Sequence, residues 1–202
     1  MRRIRKIWIA AWILLWLVSS PIEPPPSCWA APSSYGERSY EVLDVYLNID
    51  QALVQMFPQA DRFEQADVRL TDVQLDAVSK AAGYRVQDRA YSTYKAYRSG
   101  RSEGYAVVSE EVGKFHLITY AVAVTPQGKV KQVEVLVYRE SRGGEIRHRR
   151  FLQQYVGKSI QDPIRLNRDI LNVTGATLSV RAMNRGVRKA LEIIRLIYPS
   201  SA

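Results

Sequence analysis

The sequence contains one cysteine and two histidines among 202 residues. A single cysteine excludes an intrachain disulfide framework, a zinc ribbon, an iron–sulfur cluster and a haem attachment motif. His116 and His148 leave little material for a metal site, and no metal ligand is assigned. No apolar run approaches the ~18 residues of a membrane-spanning helix; the longest, Ile7–Val18, has twelve. No internal repeat is visible. Hydrophobic residues at 47% and charged residues at 24% exclude a disordered chain. The length fits one domain or at most two small ones, enough for one sizeable core. The net charge of +9 falls to +6 once residues 1–30 are set aside. A nucleic-acid partner is not expected, because the cations are scattered and form no recognised motif.

The first residues read as an address. A basic block, Met1–Lys6, precedes Ile7–Val18, and this order is that of a bacterial export signal. A twelve-residue helix is about 18 Å long, short of the ~30 Å hydrocarbon core. Pro21 and Pro24–Pro26 prevent its extension. Residues 1–31 are therefore expected to be a signal peptide, cut near Cys28-Trp29-Ala30-Ala31, or an N-terminal anchor. A lipid on Cys28 is disfavoured by Pro25, Pro26 and Ser27 where small and aliphatic residues belong. The working domain is expected in the periplasm or on the extracytoplasmic side of a bacterial membrane.

Pro32–Arg38 reads as a linker, and residues 32–88 as an N-terminal helical segment. Tyr40–Phe57 has apolar residues near helical spacing and stops at Pro58. Thr71-Asp72-Val73-Gln74 is a capping-box pattern opening a short helix that ends at Gly83, with Leu75 and Val78 inward. Residues 89–202 change period. Arg89–Arg98, Gly104–Glu111, Phe115–Val124 and Lys129–Tyr138 are strand-length runs separated by links short enough for hairpins. In the last run Val133, Val135 and Val137 are expected on one face. Val180, Met183, Val187, Leu191, Ile194 and Ile197 form the apolar stripe of a long helix over Leu178–Tyr198. The fold class is α+β: an antiparallel β-meander packed against helices, with a long C-terminal helix.

The chemistry concentrates at the head of that helix. Thr174-Gly175-Ala176-Thr177-Leu178-Ser179 combines small residues with hydroxyls suited to capping free amides. The first turn of a helix favours acids, yet the next charged residues are Arg181, Arg185, Arg188 and Lys189, with no acid before Glu192. Cations beside a positive helix end point to a bound anion, phosphate above all; an ordinary cap with solvated cations is the plain alternative. His116 falls in a strand pattern, and His148 among arginines. Tyr91, Tyr94, Tyr97, Tyr105 and Tyr120 could stack on a planar ligand or simply pack the sheet.

The same residues resemble the flavinylation motif of FMN-binding domains, the family that includes covalently flavinylated subunits of sodium-pumping NADH:quinone reductases and related electron transport complexes. The resemblance implies FMN joined through its phosphate to Thr177 by a flavin transferase that uses FAD, with Thr174, Gly175, Ala176 and Ser179 around it. Tyr138–Glu145 resembles the family's strand-end loop near the flavin, which implies roles for Glu140, Ser141, Gly143 and Gly144. Phe151–Lys158 resembles its Phe-x-x-Gln-Phe-x-Gly-Lys segment. Together these cover roughly 104–197. One position departs: Leu171 stands where the motif usually has an acid, with Asp169 and Asn172 nearby.

No nucleophile–base set is evident, so the redox chemistry is expected to belong to the flavin. The leading expectation is an exported electron-transfer module with a separate membrane or periplasmic redox partner, rather than a stand-alone enzyme. The alternative is a non-catalytic sensory or interaction module holding FMN or another anion.

Overall fold

The computed structural model describes residues 44–199. The expected export segment 1–31, Cys28 and the linker Pro32–Arg38 lie outside the described residues. In chain order the elements are β1 (Asp44–Val45), α1 (Ile49–Met56), β2 (Arg62–Arg69), α2 (Asp72–Ala82), β3 (Ala90–Arg98), β4 (Arg101–Val112), β5 (Leu117–Val124), β6 (Val130–Tyr138), a short α3 (Arg149–Leu152) between 3₁₀ turns, and α4 (Thr177–Ile197). The sheet order is β1-β6-β5-β4-β3-β2, antiparallel throughout, so β2 to β6 form a five-stranded meander. The expected fold class is the observed one.

The hairpins follow from turn chemistry. Ser99 and Gly100 link β3 to β4 with φ of 49° and 77°, the pair of positive values that a two-residue twisted hairpin requires. The sheet is covered on both faces. On one face Val107, Val122, Val133 and Val135 share a cluster with Val180, Met183, Val187 and Leu191 of α4 and with Val78 of α2. On the other, the small side chains of Ala96, Ala106, Ala121 and Ala123 let Leu53 and Met56 of α1 come close, joined by Leu136. Helix α2 begins at the Thr71–Gln74 capping box and ends at Gly83 in the left-handed region.

Three local expectations change. The helix placed over Tyr40–Phe57 begins only at Ile49, because Asn48 and Gln51 cap each other's amides there. Before it, β1 pairs with Tyr138 and Val137. The segment 32–88 is not wholly helical: β2 pairs along its length with β3. Its sequence, Arg-Phe-Glu-Gln-Ala-Asp-Val-Arg, has an exposed, charged pattern typical of an edge strand and gives no alternation to detect. Finally, Val137 does not share the face of Val133 and Val135. The register slips by one residue near Leu136, so Val137 joins Leu136 on the α1 side while Tyr138 turns toward α4.

Helix α4 is locked to β4 by a buried ion pair. Lys189 lies 2.6 Å from Glu111, both almost fully enclosed, and also donates to the carbonyl of Glu110. Glu111 further accepts from Tyr84 at 2.6 Å, so neither charge is left bare.

Candidate functional site

Three segments distant in sequence meet at the head of α4: the β4–β5 hairpin tip, the loop leaving β6, and the turn Val173–Ala176. They enclose a groove of about 390 Å³ lined by Lys114, Phe115, Glu140, Ser141, Arg142 and residues Gly175 to Ser179. That volume falls in the range of small-molecule and cofactor pockets.

Glu140 builds one wall. A single carboxylate oxygen accepts the backbone N–H groups of Phe115 at 2.6 Å and His116 at 3.0 Å, and that of Lys114 as well. Burial pushes its pKa up, but these three donors outweigh it and hold the carboxyl below its usual range. The acid therefore anchors the hairpin tip, which carries the Lys114 ammonium 4.6 Å from the exposed Phe115 ring.

A second set of contacts ties the β6 loop to α4. The Tyr138 hydroxyl donates to the carbonyl of Arg142 at 2.6 Å, so at 3.0 Å it accepts from Ser179. Ser179 is buried and its hydroxyl is committed to this bond. Gly143 has φ of 87°, and a Cβ there would stand 2.8 Å from the Tyr138 hydroxyl and 3.1 Å from Cβ of Ala176. Gly143 is thus required both by its backbone and by close packing. Gly144 is not: its nearest neighbour, Tyr138, is 3.9 Å from a built Cβ.

The motif itself forms a turn closed by the bond from the Ala176 N–H to the Val173 carbonyl at 3.0 Å, with Gly175 at φ of 81°. Thr174 is exposed on this turn, and neither it nor Gly143 nor Gly144 lines the groove. Helix α4 opens at Thr177 after Ala176, and no side chain caps it. The expected hydroxyl cap is absent because Thr177 already lies inside the first turn, where its Oγ1 accepts from the Asn172 amide at 3.0 Å. The first turn carries no acid. Its leading amides are thus without a side-chain acceptor, which suits an anion.

The supporting segment works as a scaffold. Phe151 and Tyr155 are buried, and Gln154 accepts the Leu171 N–H at 2.7 Å. Lys158 pairs with Asp169 at 2.9 Å, and Asp169 also accepts from the amides of Ile164 and Arg165. Asp169 is thus committed to shaping the loop before the motif. Leu171, in the position of the family's acid, is 74% exposed.

Several expectations about the site are corrected. Arg185, Arg188 and Lys189 do not gather at the helix start: they reach the carbonyls of Val112, Ala82 and Glu110 farther along. The cations that line the groove are Lys114 and Arg142. None of the five strand tyrosines lines it either; Tyr120 is fully buried and Tyr105 stacks on Tyr198. The groove's aromatic ring is Phe115, expected at the start of the strand run Phe115–Val124 but standing in the β4–β5 turn, since β5 begins only at Leu117. His116 lies in that turn, not in a strand, and is exposed. His148 is exposed among its arginine neighbours.

FMN needs an acceptor or donor set for its phosphate and an apolar surface for its ring system. The groove offers a hydroxyl, uncapped helix amides, two cations and an exposed phenyl ring, so the residues present fit the group. Comparison with known proteins agrees. Residues 113–192 match the family model described as the FMN-binding domain. Over 107 residues the chain is 30% identical to a subunit of the proton-translocating ferredoxin:NAD(+) oxidoreductase complex of Clostridium ljungdahlii, covering 49% of this chain. The chain spans 57% of that relative's length, little more than half. The fold is similar to the crystal structure of Shewanella oneidensis NqrC, with a TM-score of 0.53 at 17% identity over 77% of this chain and 90% of the other. It is also similar to a subunit of the Na(+)-translocating NADH-quinone reductase of Parabacteroides distasonis, with a TM-score of 0.50 at 14% identity over 78% and 88%.

Proposed function

With residues 113–192 an FMN-binding domain, and FMN therefore its cofactor, we propose that this chain is an exported electron-transfer module whose FMN is joined through its phosphate to Thr177. The observation that carries this reading is the convergence of Thr177, Lys114, Phe115 and Glu140 on one groove at an uncapped, acid-free helix start. The bound flavin supplies the electron-transfer chemistry. The protein's own groups hold and orient it. The amides and N-terminal dipole of α4 favour the phosphate, Phe115 offers a face for the ring system, and Lys114 and Arg142 supply positive charge. Asn172 donates to Oγ1 of Thr177 and so orients the hydroxyl.

In the attachment step, carried out by a separate flavin transferase, Oγ1 of Thr177 would bond to the FMN phosphorus of FAD as the phosphoanhydride P–O bond breaks, AMP leaves and the hydroxyl proton passes to a base or solvent. A tether suits a carrier outside the cytoplasm, where lost cofactor is not readily replaced. The curated relative is by name a subunit of a proton-translocating ferredoxin:NAD(+) oxidoreductase complex, which supports a separate membrane-bound or periplasmic redox partner for this chain and a carrier role rather than stand-alone catalysis.

The test is Thr177→Ala, produced in a host with an active flavin transferase. Denaturation-resistant flavin fluorescence in a gel should disappear. Stability should change by no more than about 1 kcal/mol, since only the hydrogen bond from Asn172 is lost. Flavin that survives denaturation in this variant would place the attachment elsewhere.

A further inference from the structure

Beyond the flavin groove, a hollow of about 360 Å³ lies between α4 and the loop Ile164–Asn167. It shares no lining residue with the flavin groove. We infer that this hollow binds a phosphate-bearing anion at a site separate from the flavin.

Its lining is one-sided in chemistry. Arg165 comes from the loop, while Arg181, Arg185 and Arg188, spaced by four and three residues, come from one face of α4. No carboxylate lines the hollow. The nearest acids are committed elsewhere, Asp169 to Lys158 at 2.9 Å and Glu111 to Lys189 at 2.6 Å. The other oxygen of Glu111 makes a longer ion pair with Arg185, 3.6 Å from its Nε and beyond hydrogen-bond reach, so that guanidinium is compensated in part only. The buried Nε atoms of Arg185 and Arg188 have no hydrogen-bond partner.

Asn184 supplies a further donor. It lines the hollow at 4% exposure, and its Oδ1 accepts from the Tyr155 hydroxyl at 2.7 Å. This bond engages the carbonyl end of the carboxamide and leaves the Nδ2 donor end free of it. Four guanidinium groups from two elements converge on a hollow that no carboxylate lines, an arrangement that suits an acceptor-rich anion.

The hollow is also built in advance. Arg188 is held by the carbonyl of Ala82 at 2.9 Å, and more loosely by those of Pro163 and Ile164. Burial, then the charges of Arg165 and Arg185, push its pKa down, a like-charge crowding that an anion would relieve. The loop holds Ile164, fully buried and β-branched, at φ of 45°, and Asn167 at 59°. Strain of this kind persists only where the surroundings over-determine it. Donors arriving from two elements suit a tetrahedral oxyanion with several free oxygens, whereas a carboxylate matches a single guanidinium fork.

The experiment titrates the full-length, flavin-loaded protein with inorganic phosphate against chloride of equal ionic strength, followed by calorimetry and amide chemical shifts. A saturable phosphate effect centred on residues 164–167 and 181–188 is expected. The double variant Arg165→Gln, Arg181→Gln should weaken it at least tenfold. Among the described residues neither side chain makes a hydrogen bond or ion pair, so the variant should fold and retain its flavin. Lys114→Gln, in the flavin groove, should leave phosphate binding unchanged. No saturable effect beyond chloride, equal binding in the double variant, or binding that disappears when the flavin is loaded would each overturn the inference; the last would make the hollow part of the flavin site. Flotation with phosphatidylglycerol against phosphatidylcholine vesicles separates the sources. Arginine-dependent flotation assigns the site to a lipid headgroup, and phosphate binding without flotation assigns it to a soluble phosphoester.

Discussion

Glu140 resembles a ligand-contacting acid in the sequence, yet its carboxylate is committed to three backbone amides of the β4–β5 tip. Its contribution to the site is to place Lys114 and Phe115. Because its pKa is lower folded than unfolded, the stabilisation is complete above the ordinary glutamate value of 4.5 and is lost as pH falls through the folded value. Glu140→Gln should therefore lower stability at pH 7 by roughly 1–2 kcal/mol, the difference between charged and neutral acceptors. Melting curves of variant and wild type should converge as the solution is acidified; a constant gap down to pH 3 would refute the assignment. Neighbouring glycines separate just as clearly. Gly143→Ala meets both a positive φ and the Tyr138 hydroxyl, and should cost about 1–3 kcal/mol and weaken flavin retention. Gly144→Val, where a Cβ meets only ordinary contact with Tyr138 at 3.9 Å, should change denaturant midpoint and retention much less.

At the scale of elements, α4 is the axis of the molecule. Its first turn faces the groove, its middle carries the arginines of the second hollow, and its apolar stripe packs on the sheet. Contact with the sheet is tight at Gly186, where a Cβ would stand 2.5 Å from the fully buried side chain of Tyr120. Alanine normally improves a helix by up to ~1 kcal/mol over glycine. Here the rigid ring sits over β5 and cannot retreat, so Gly186→Ala should instead destabilise by about 1–3 kcal/mol in urea unfolding. A stabilised variant would show that helix and sheet are free to separate. The loop from α3 to α4 depends on the Lys158–Asp169 pair and on Gln154, which explains why a segment remote from the groove belongs to the motif's pattern.

At the scale of the whole molecule, the described residues form one sheet with helices on both faces, and among them no helix is long and apolar enough to cross a membrane. The signal or anchor expected over residues 1–31 falls outside them. In the proposed reading, the basic block before Ile7–Val18 directs the chain out of the cytoplasm. Fractionation with an antibody to α4 should recover the protein from periplasmic or membrane fractions, and N-terminal sequencing should separate a cleaved signal from an anchor. Full-length protein confined to the cytosol would sink the export proposal and leave the FMN-binding domain untouched.

The meander, its turns, the capping box at Thr71 and the stripe of α4 were legible in the sequence, because each rests on local chemistry: alternation, positive-φ residues, reciprocal caps and helical period. So was the motif at Thr177, since its residues are contiguous. Strand β2 was not, because a charged edge strand lacks a buried face to alternate. Nor was the face of Val137, because one register slip at Leu136 reverses every alternation after it. The arginines of α4 were visible as charges, but their destinations depend on carbonyls in α2, β4 and the loop at Ile164. Lys114 and Phe115 entered the groove only because Glu140, some 25 residues later in the chain, binds their amides. Local sequence determined which segment carries the motif at the head of α4. The tertiary structure decided what surrounds it, because hydrogen bonds between segments, not spacing within one, bring those groups together.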